Sequence, residues 1–255
     1  MVRTLYFNRW LLYELVLRDV VLRYRGSALG FFWTLLTPLL LMAVYVLVFS
    51  VFLRIDMPHY PVFLLASLLP WQWFANSLQA GTNSIVEGRM YVGKVVLAPI
   101  VLVLVPVLSN AVHFALSLPI LLILAAIFHV QVGWSILALP VLIGVQFLLT
   151  LGLLLLLATF NVFYRDALQL VSVLLMLLFY LTPIVYPLTS VPEHWRLYAL
   201  ANPMTALTLS YQAIFYFHSS PNWAYVLYAF AFSAVLSGAG LIVFDRYKDT
   251  FADYV

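Results

Sequence analysis

The chain contains no cysteine and very little charge. Only 8% of its 255 residues are Asp, Glu, Lys or Arg, whereas about 25% is usual in a soluble domain. The absence of cysteine excludes disulfides, thiolate metal sites and cysteine nucleophiles. The shortage of charge leaves too little polar surface to cover a soluble globule of this size. Because 65% of the residues are hydrophobic and the mean hydropathy is +1.07, lipid is the predicted solvent for most of the chain.

Long apolar runs take the place of the missing charge. A bilayer core about 30 Å thick needs roughly 20 helical residues to cross it. Six runs of about this length or longer occur, at 31–53, 61–83, 95–128, 134–160, 167–186 and 223–244. They are continuous and rich in leucine rather than alternating, which favours helices over barrel strands. The prediction is a single all-α transmembrane domain, 1–255, with six spans, and the first run is too long for a cleaved signal peptide.

The basic residues are distributed unevenly among the segments between the runs. If the N-terminus is cytoplasmic, ten of the 12 Lys and Arg residues lie in inner segments, and only Arg54 and Arg196 lie in outer loops. Cytoplasmic loops carry the excess of basic residues in membrane proteins. Both termini are therefore predicted to be cytoplasmic.

Residues 4–25 are predicted to form an amphipathic helix at the membrane interface. At 100° per residue, aromatic and aliphatic side chains such as Trp10 and Tyr13 share one sector, and charged side chains such as Glu14 and Arg18 share another. Tyr and Trp beside basic residues are typical of the headgroup level. Two interpretations stay open: an anchor alone, or an anchor whose polar stripe also contacts a cytoplasmic partner.

The stretch 187–222 is predicted to lie on the outer side. It is too apolar for a solvated loop and too interrupted by polar residues for a clean span. A pair of short re-entrant or interfacial helices, broken at Asn202–Pro203, is the structure that fits this pattern, since irregular backbone at membrane depth is tolerated where it is buried or lines a cavity.

Nothing in the sequence predicts a catalytic, metal or nucleotide site. No two of the five histidines lie three to five residues apart. The string "GRMYVGK" (88–94) begins like a phosphate-binding loop, but Val95 replaces the required Ser or Thr and no strand precedes it. All nine carboxylates fall at the edges of the runs or outside them, which argues against a proton or sodium relay. A transporter of this kind would need a separate motor.

Neutral polar and aromatic residues are the chemistry that the spans do contain. The polar residues are Asn76, Gln79, Asn110, Gln146, Asn161 and Thr182, and the whole chain has 16 Tyr and 7 Trp. Aromatic faces combined with neutral hydrogen-bonding groups suit sugar surfaces, whereas interface belts and ordinary packing are the alternative explanation. A belt alone explains Trp71 and Trp73, and His113 is expected to be neutral and bonded to a neighbouring helix.

Three stretches resemble the membrane subunits of bacterial ATP-binding-cassette polysaccharide exporters. These are "RDVVLRYRGSALGFFWTLLTPLL" (18–40), "NVFYRDALQL" (161–170) and "LFYLTPIVYPLTSVPEHWRLYALANPMTAL" (178–207). The resemblance covers nearly the whole chain and is greatest to O-antigen exporter permeases. It implies a homodimer in the bacterial inner membrane, bound to two copies of a cytoplasmic ATPase that holds ATP and Mg, with no cofactor in this chain.

The resemblance also implies four groups of functional residues. The loop 84–94 would couple to the ATPase through Glu87, Gly88, Arg89, Met90 and Tyr91. The inner-leaflet entrance would involve Arg18, Arg23 and Arg25. The outer gate, within 187–222, would involve Trp195, Tyr198, Asn202 and Pro203. The pore, lined largely by the first and fifth spans at the dimer interface, would involve Phe32, Trp33, Tyr45, Tyr180 and Tyr186.

Alternatives to an O-antigen exporter remain open at this point. The expected substrate is a lipid-linked polysaccharide, with membrane lipids as further partners and no nucleic acid. Teichoic acid or capsule export would use the same family. A small-molecule or drug exporter of the same architecture would be favoured by a closed apolar pocket between spans. A lipid-linked sugar transferase would need a cluster of charged residues at one face, which is not found beyond Arg23, Arg25, Glu87 and Arg89.

Overall fold

The computed structural model describes residues 9–30, 32–54, 56–88 and 98–254. Within these ranges the elements are all helical, and the predicted all-α class is confirmed. The helices are α1 (Arg9–Leu22), α2 (Phe32–Val46), α3 (Tyr60–Thr82), α4 (Ser84–Glu87), α5 (Pro99–Ile127), α6 (Leu139–Phe163), α7 (Ala167–Leu181), α8 (Glu193–Ala201), α9 (Pro203–Phe215), α10 (Trp223–Tyr247) and α11 (Phe251–Tyr254). A π-helical turn, Leu47–Phe52, extends α2, and a 3₁₀ turn, Trp134–Ala138, leads into α6.

Four helical segments in the described ranges are long and apolar enough to cross a membrane. They are Phe32–Phe52, Pro99–Ile127, Trp134–Phe163 and Trp223–Thr250. Each corresponds to one of the predicted runs. The other two predicted spans, 61–83 and 167–186, have helices with different properties.

The helix α3 is long enough to cross a membrane but is less apolar than those four segments, with Gln72, Asn76 and Gln79 in its second half. It is also largely enclosed: Phe63, Leu64 and Ala66 have no exposed surface, and α5, α6, α7 and α9 pack around it. Its serine hydroxyls bond back to carbonyls of their own helix, as Ser67 does to Phe63 O at 3.1 Å. A helix surrounded by other helices does not need a lipid-compatible surface, which explains its lower hydropathy.

The helix α7 is apolar but only 15 residues long. At 1.5 Å per residue it extends about 22 Å, short of a bilayer core about 30 Å thick. The chain leaves the helix at Thr182, where φ and ψ become extended, and continues through the buried residues Pro183, Ile184 and Val185. The remainder of the predicted span 167–186 is thus irregular backbone enclosed by protein.

The closest helix pair is α6 with α10. An added Cβ at Gly152 would lie 2.6 Å from Ser237 N, and one at Gly240 would lie 2.6 Å from Gly152 O. Ser237 Oγ donates to Leu148 O at 2.7 Å across this contact. Small residues let two helix backbones approach closely in a membrane, so these positions fix the crossing of the pair.

The N-terminal helix α1 lies against α5. Leu12 and Leu15 pack on the core, while Trp10 and Tyr13, from the predicted aromatic sector, are exposed. The helix therefore has apolar residues both towards the protein and away from it. The connection to α2 turns at Gly26 and Gly30, whose φ values are +82° and +50°, a conformation that glycine adopts without a steric penalty.

The stretch 187–222, predicted to lie on the outer side, contains two short helices that differ in burial. The first, α8, is exposed, with Trp195 55% and Tyr198 70% accessible. The second, α9, is a core element packed on α3 and α10, with Leu207 and Tyr211 fully buried. The chain breaks between them at Asn202, whose Oδ1 accepts from Met204 N at 3.0 Å and caps α9.

Contacts at the helix ends divide the molecule into two sides. On one side Tyr60 Oη donates to Val185 O at 2.7 Å, and Tyr216 Oη donates to Pro58 O at 2.7 Å. On the other side Asn161 Nδ2 donates to Asn83 Oδ1 at 3.2 Å. The start of α3 and the end of α7 thus share one side, while the ends of α3 and α6 share the other.

Candidate functional site

A cavity of about 470 Å³ lies between the α1–α2 connection and helices α2, α3, α5 and α7. Its volume falls within the range of about 300–1,000 Å³ that is usual for ligand sites. Its polar lining consists of Arg23, Tyr24, Thr34, Thr37, Gln72, Asn76, Asn110, His113 and Ser117. Its aromatic lining, apart from Tyr24, consists of Trp33, Tyr45, Trp71, Trp73, Phe114 and Phe179.

Two tryptophans of α3 form part of the cavity wall. Trp73 is 2% exposed, and its Nε1 donates to Val107 O at 3.1 Å. Its ring stacks on Phe114, with centroids 5.3 Å apart. Trp71 is 5% exposed. The interpretation of Trp71 and Trp73 as interface-belt residues is wrong, because α3 is enclosed by other helices and both rings face the interior.

A single arginine brings a formal charge to the described cavity lining. Arg23 donates through Nη1 to Asn110 Oδ1 at 2.9 Å and through Nη2 to Asp19 Oδ2 at 3.2 Å. Asn110 is held for this role, because its Nδ2 donates to Pro106 O at 2.8 Å and its Oδ1 is left facing the guanidinium. The arginine thus reaches the twelfth residue of α5 rather than staying at the end of a helix.

A group of neutral polar side chains lies next to Arg23 in the cavity lining. Thr34 Oγ1 donates to Tyr24 Oη at 2.7 Å, and Tyr24 Oη lies 3.3 Å from His113 Nδ1. The Tyr24 and His113 rings meet edge to face, with centroids 5.6 Å apart. His113 therefore has a partner outside its own helix, as expected. Its Nε2 is buried with no hydrogen-bond partner among the described residues.

Aromatic rings connect α2, α7 and α3 at another part of the wall. Tyr45 stacks on Phe179, with centroids 5.7 Å apart and planes 27° apart. Trp71 meets the same Phe179 edge to face at 5.8 Å. Stacked and edge-to-face aromatic pairs stabilise packing beyond the area that they bury. These rings hold α2 and α7 against α3.

The predicted pore residues separate into two groups. Trp33 and Tyr45 line the cavity, and Trp33 Nε1 donates to Ser27 Oγ at 3.0 Å. Phe32 is 68% and Tyr180 58% exposed, and neither belongs to the cavity. Tyr186 follows the end of α7, and its Oη donates to Tyr180 O at 2.7 Å.

The predicted entrance arginines also separate. Arg23 lines the cavity, whereas Arg18 and Arg25 lie outside its described lining.

The predicted coupling segment is described only as far as Gly88; Arg89, Met90 and Tyr91 lie outside the described residues. Glu87 is exposed, and its Oε1 accepts from Asn83 Nδ2 at 2.8 Å. Asn83 Oδ1 in turn accepts from Asn161 Nδ2. Gly88 is packed so closely that an added Cβ would lie 2.5 Å from Leu102 Cδ1.

The predicted outer-gate residues lie on α8 and at its junction with α9. The Trp195 and Tyr198 rings are neighbours on α8, with centroids 5.3 Å apart. Asn202 Nδ2 donates to Thr182 Oγ1 at 3.0 Å, and Pro203 is the first residue of α9. The junction is therefore bonded to the point where α7 ends.

Several functional candidates were missed by sequence reasoning. Thr34, Thr37, Gln72 and Ser117 line the cavity, and Asn83 connects Asn161 to Glu87. Gln72 could have been recognised from the sequence, because it is a polar residue between two tryptophans in an apolar run. Serine and threonine are common in spans because they bond to their own helix, so they gave no comparable signal.

The cavity combines aromatic faces with neutral hydrogen-bonding groups and one arginine. Such a lining can pack against the apolar C–H faces of sugar rings and bond to their hydroxyl groups. Its described lining contains no carboxylate. The arrangement is therefore suited to holding sugar rings.

Comparisons with known proteins agree with this interpretation. The chain is 41% identical over 257 residues to the O-antigen export system permease protein RfbA of Myxococcus xanthus. The alignment covers 100% of this chain and 99% of that protein. It is 29% identical over 252 residues to each of two RfbA permeases of Klebsiella pneumoniae, covering 97% of both chains.

The ABC-2 type transporter family matches residues 11–216. This range runs from α1 to the end of α9 and contains every element that lines the cavity. With four helices able to span a membrane and a relative matched over its full length, the chain is a multi-pass inner-membrane protein and belongs to the ABC-2 type transporter family.

Proposed function

We propose that this chain is the channel-forming membrane subunit of an exporter that carries polysaccharide across the bacterial inner membrane. The observation that supports it most is the cavity of about 470 Å³, whose lining combines aromatic faces with neutral hydrogen-bonding groups. The relatives named as O-antigen export permeases make an O-antigen-like, lipid-linked chain the proposed substrate. Teichoic acid and capsule polymers are alternatives with the same chemistry.

The proposed topology has six spans with both termini in the cytoplasm. The helices α3 and α7 would complete the six, α3 as an enclosed helix and α7 with its irregular continuation to Tyr186. The contact of Asn161 with Asn83 supports placing the ends of α3 and α6 on one side. The contact of Tyr60 with Val185 supports placing the outer segment on the other side. In this topology α8 and α9 are the gate helices.

The active unit would be a homodimer whose pore lies between the two copies. The helices α2 and α7 supply the surfaces for it. Their exposed residues include Leu40, Val44, Val51, Leu174, Leu177 and Leu181. The Tyr45–Phe179 stack joins the two helices within one copy, so both would move together at the interface.

Energy would come from two copies of a cytoplasmic ATPase, which bind ATP and Mg. ATP binding would close the ATPase pair and displace the loop 84–94 of each membrane subunit. Packed helices move as rigid units, so the displacement would reach the pore. Glu87 and Arg89 are the proposed charged contacts, and Met90 and Tyr91 the proposed apolar ones. A long polymer does not fit in one closed cavity, so stepwise motion along a continuous channel is the proposed mode.

The small-molecule alternative receives less support from the geometry. A closed apolar pocket between spans would favour a small-molecule exporter. The lining of this cavity instead includes nine polar side chains, two of them from the α1–α2 connection.

Co-purification with the candidate ATPase tests the proposal. The wild-type chain should retain the ATPase through detergent extraction and export polymer in a strain that lacks its own copy. Glu87→Lys with Arg89→Glu should lower both retention and export, because like charges would then meet at the contact. Asp253→Lys, an exposed change near the C-terminus, is the matched control. Normal export by the folded double variant would contradict the coupling assignment.

A further inference from the structure

A second, larger site is a groove that shares no lining residue with the cavity. It measures about 680 Å³ and is formed by α6 and α10. Its lining is Leu153, Leu156, Leu157, Thr159, Phe160, Phe163, Tyr164, Val243 and Tyr247. None of these residues lines the cavity described above, and the proposed transport mechanism does not use them.

The groove arises from the way in which α6 and α10 cross. The backbones approach most closely at Gly152 and Gly240. The groove begins at the next residue of α6, Leu153. At its far end the Phe163 and Tyr247 rings meet with centroids 5.5 Å apart. The result is a long apolar trough between two points of contact.

The length of the groove matches one leaflet of a bilayer. From Leu153 to Tyr164 is eleven residue steps along α6, or about 16 Å at 1.5 Å per residue. Half of a hydrocarbon core about 30 Å thick is about 15 Å. With the tyrosine end at the headgroup level, where tyrosine is enriched, the Leu153 end would reach the middle of the membrane.

Two arginines adjoin the tyrosine end. Arg165 follows Tyr164, and Arg246 precedes Tyr247 and lies three residues after Val243, on the neighbouring helix surface. Neither has an ion pair or a side-chain hydrogen bond within the described ranges. The nearby Asp245 is paired with Lys248 at 2.6 Å, and Asp166 lies at the N-terminus of α7, where a carboxylate interacts with the helix dipole.

We propose that this groove is a binding site for an anionic phospholipid of the phosphatidylglycerol type. One acyl chain would lie along Leu153, Leu156 and Phe160, and the phosphate would be held by Arg165 and Arg246. Assignment to the inner leaflet rests on the proposed orientation of the chain. The site itself is an apolar groove about as long as one acyl chain, with two arginines next to one end. It does not depend on that orientation or on the substrate.

Native mass spectrometry of the purified full-length chain tests this site. The protein is titrated with dioleoylphosphatidylglycerol and with dioleoylphosphatidylcholine, and retained lipid is counted. Wild type should retain more phosphatidylglycerol than phosphatidylcholine. Arg165→Gln with Arg246→Gln should weaken that binding more than about tenfold, since each basic residue near an anionic lipid contributes about fivefold. Arg54→Gln removes a charge from an exposed position outside the groove lining and should leave the bound copy in place.

A groove-filling variant provides the second readout. Leu156→Trp should exclude the lipid, while Ile242→Trp, at a residue that is 72% exposed on α10 outside the groove, should not. Unfolding temperature identifies variants that fold. Equal retention of the two lipids by wild type would overturn the proposal, as would an unchanged bound copy in a folded Leu156→Trp protein. If Leu156→Trp does not fold, the proposal is decided by whether Arg165→Gln with Arg246→Gln weakens phosphatidylglycerol binding. Export and ATPase retention are measured separately, so failure here leaves the transport proposal standing.

Discussion

At the scale of single residues, the contact between Arg23 and Asn110 is the most informative. A charged side chain that reaches into a bundle of apolar helices needs partners. Arg23 has two, Asp19 on its own helix and Asn110 on α5. The contact spans 87 residues of sequence and fixes where the α1–α2 connection meets the cavity. It also places the positive charge beside neutral groups that are available to a sugar chain.

A double-mutant cycle measures this contact. Asn110→Leu removes the acceptor, and Arg23→Met removes the donor with little change in length. The coupling free energy should be about 1 kcal/mol, because the bond is charge-assisted but the arginine is partly exposed. Unfolding in mixed detergent micelles gives the four stabilities. Additive effects of the two substitutions would show that the contact contributes nothing to the fold.

At the scale of elements, the α6–α10 crossing is the closest packing in the bundle. The pair meets at Gly152, Ser237 and Gly240, with one hydroxyl bonded across the contact. The crossing sets the angle at which the two helices separate, and hence the shape of the groove beyond it. Because backbones touch there, no flexible side chain can move aside to make room.

Gly152→Ala tests the crossing, with Gly144→Ala on the same helix as its control. A Cβ at position 152 would lie 2.6 Å from Ser237 N, whereas one at position 144 meets nothing within 4 Å. Overpacking costs about 1–3 kcal/mol, while Gly to Ala in an open helical position gains up to about 1 kcal/mol. The control should therefore be more stable by about 2 kcal/mol in the same unfolding assay. Equal stability would mean that the helices are not in backbone contact.

The elements also show what the sequence could and could not predict. Apolar runs predicted helices that the structure contains, and the Asn202–Pro203 pair indicated the break between α8 and α9. The enclosure of α3 was not predictable, because hydropathy measures how apolar a helix is and not what covers it. Trp73 was misassigned for the same reason. The cavity joins residues of five segments, and a single sequence carries no signal for such distant contacts.

At the scale of the whole molecule, two sides are defined by contacts between helix ends. Asn161 with Asn83 marks one side, and Tyr60 with Val185 marks the other. Ten of the 12 basic residues belong to the side proposed to be cytoplasmic. The contacts thus show which helix ends share a side, and the charge distribution is the argument for assigning the side of Asn83 and Asn161 to the cytoplasm.

Single cysteines test this orientation, since the chain has none of its own. Ser190→Cys and Asp253→Cys both change exposed residues on opposite proposed sides. In spheroplasts, a membrane-impermeant maleimide should label position 190 directly and position 253 only after permeabilisation. Cysteine-free wild type is the control for background labelling. The reverse pattern would require the opposite orientation.

The central claim is that this chain forms an ATP-driven path for polysaccharide, and reconstituted vesicles test it most directly. Purified chain and its ATPase are placed in vesicles with the nucleotide-binding side outward, and labelled lipid-linked polymer is added to the outer leaflet. ATP should carry the polymer into the lumen, where externally added glycosidase does not reach it, and a non-hydrolysable analogue should not. Polymer that remains fully digestible while the ATPase turns over would contradict the claim.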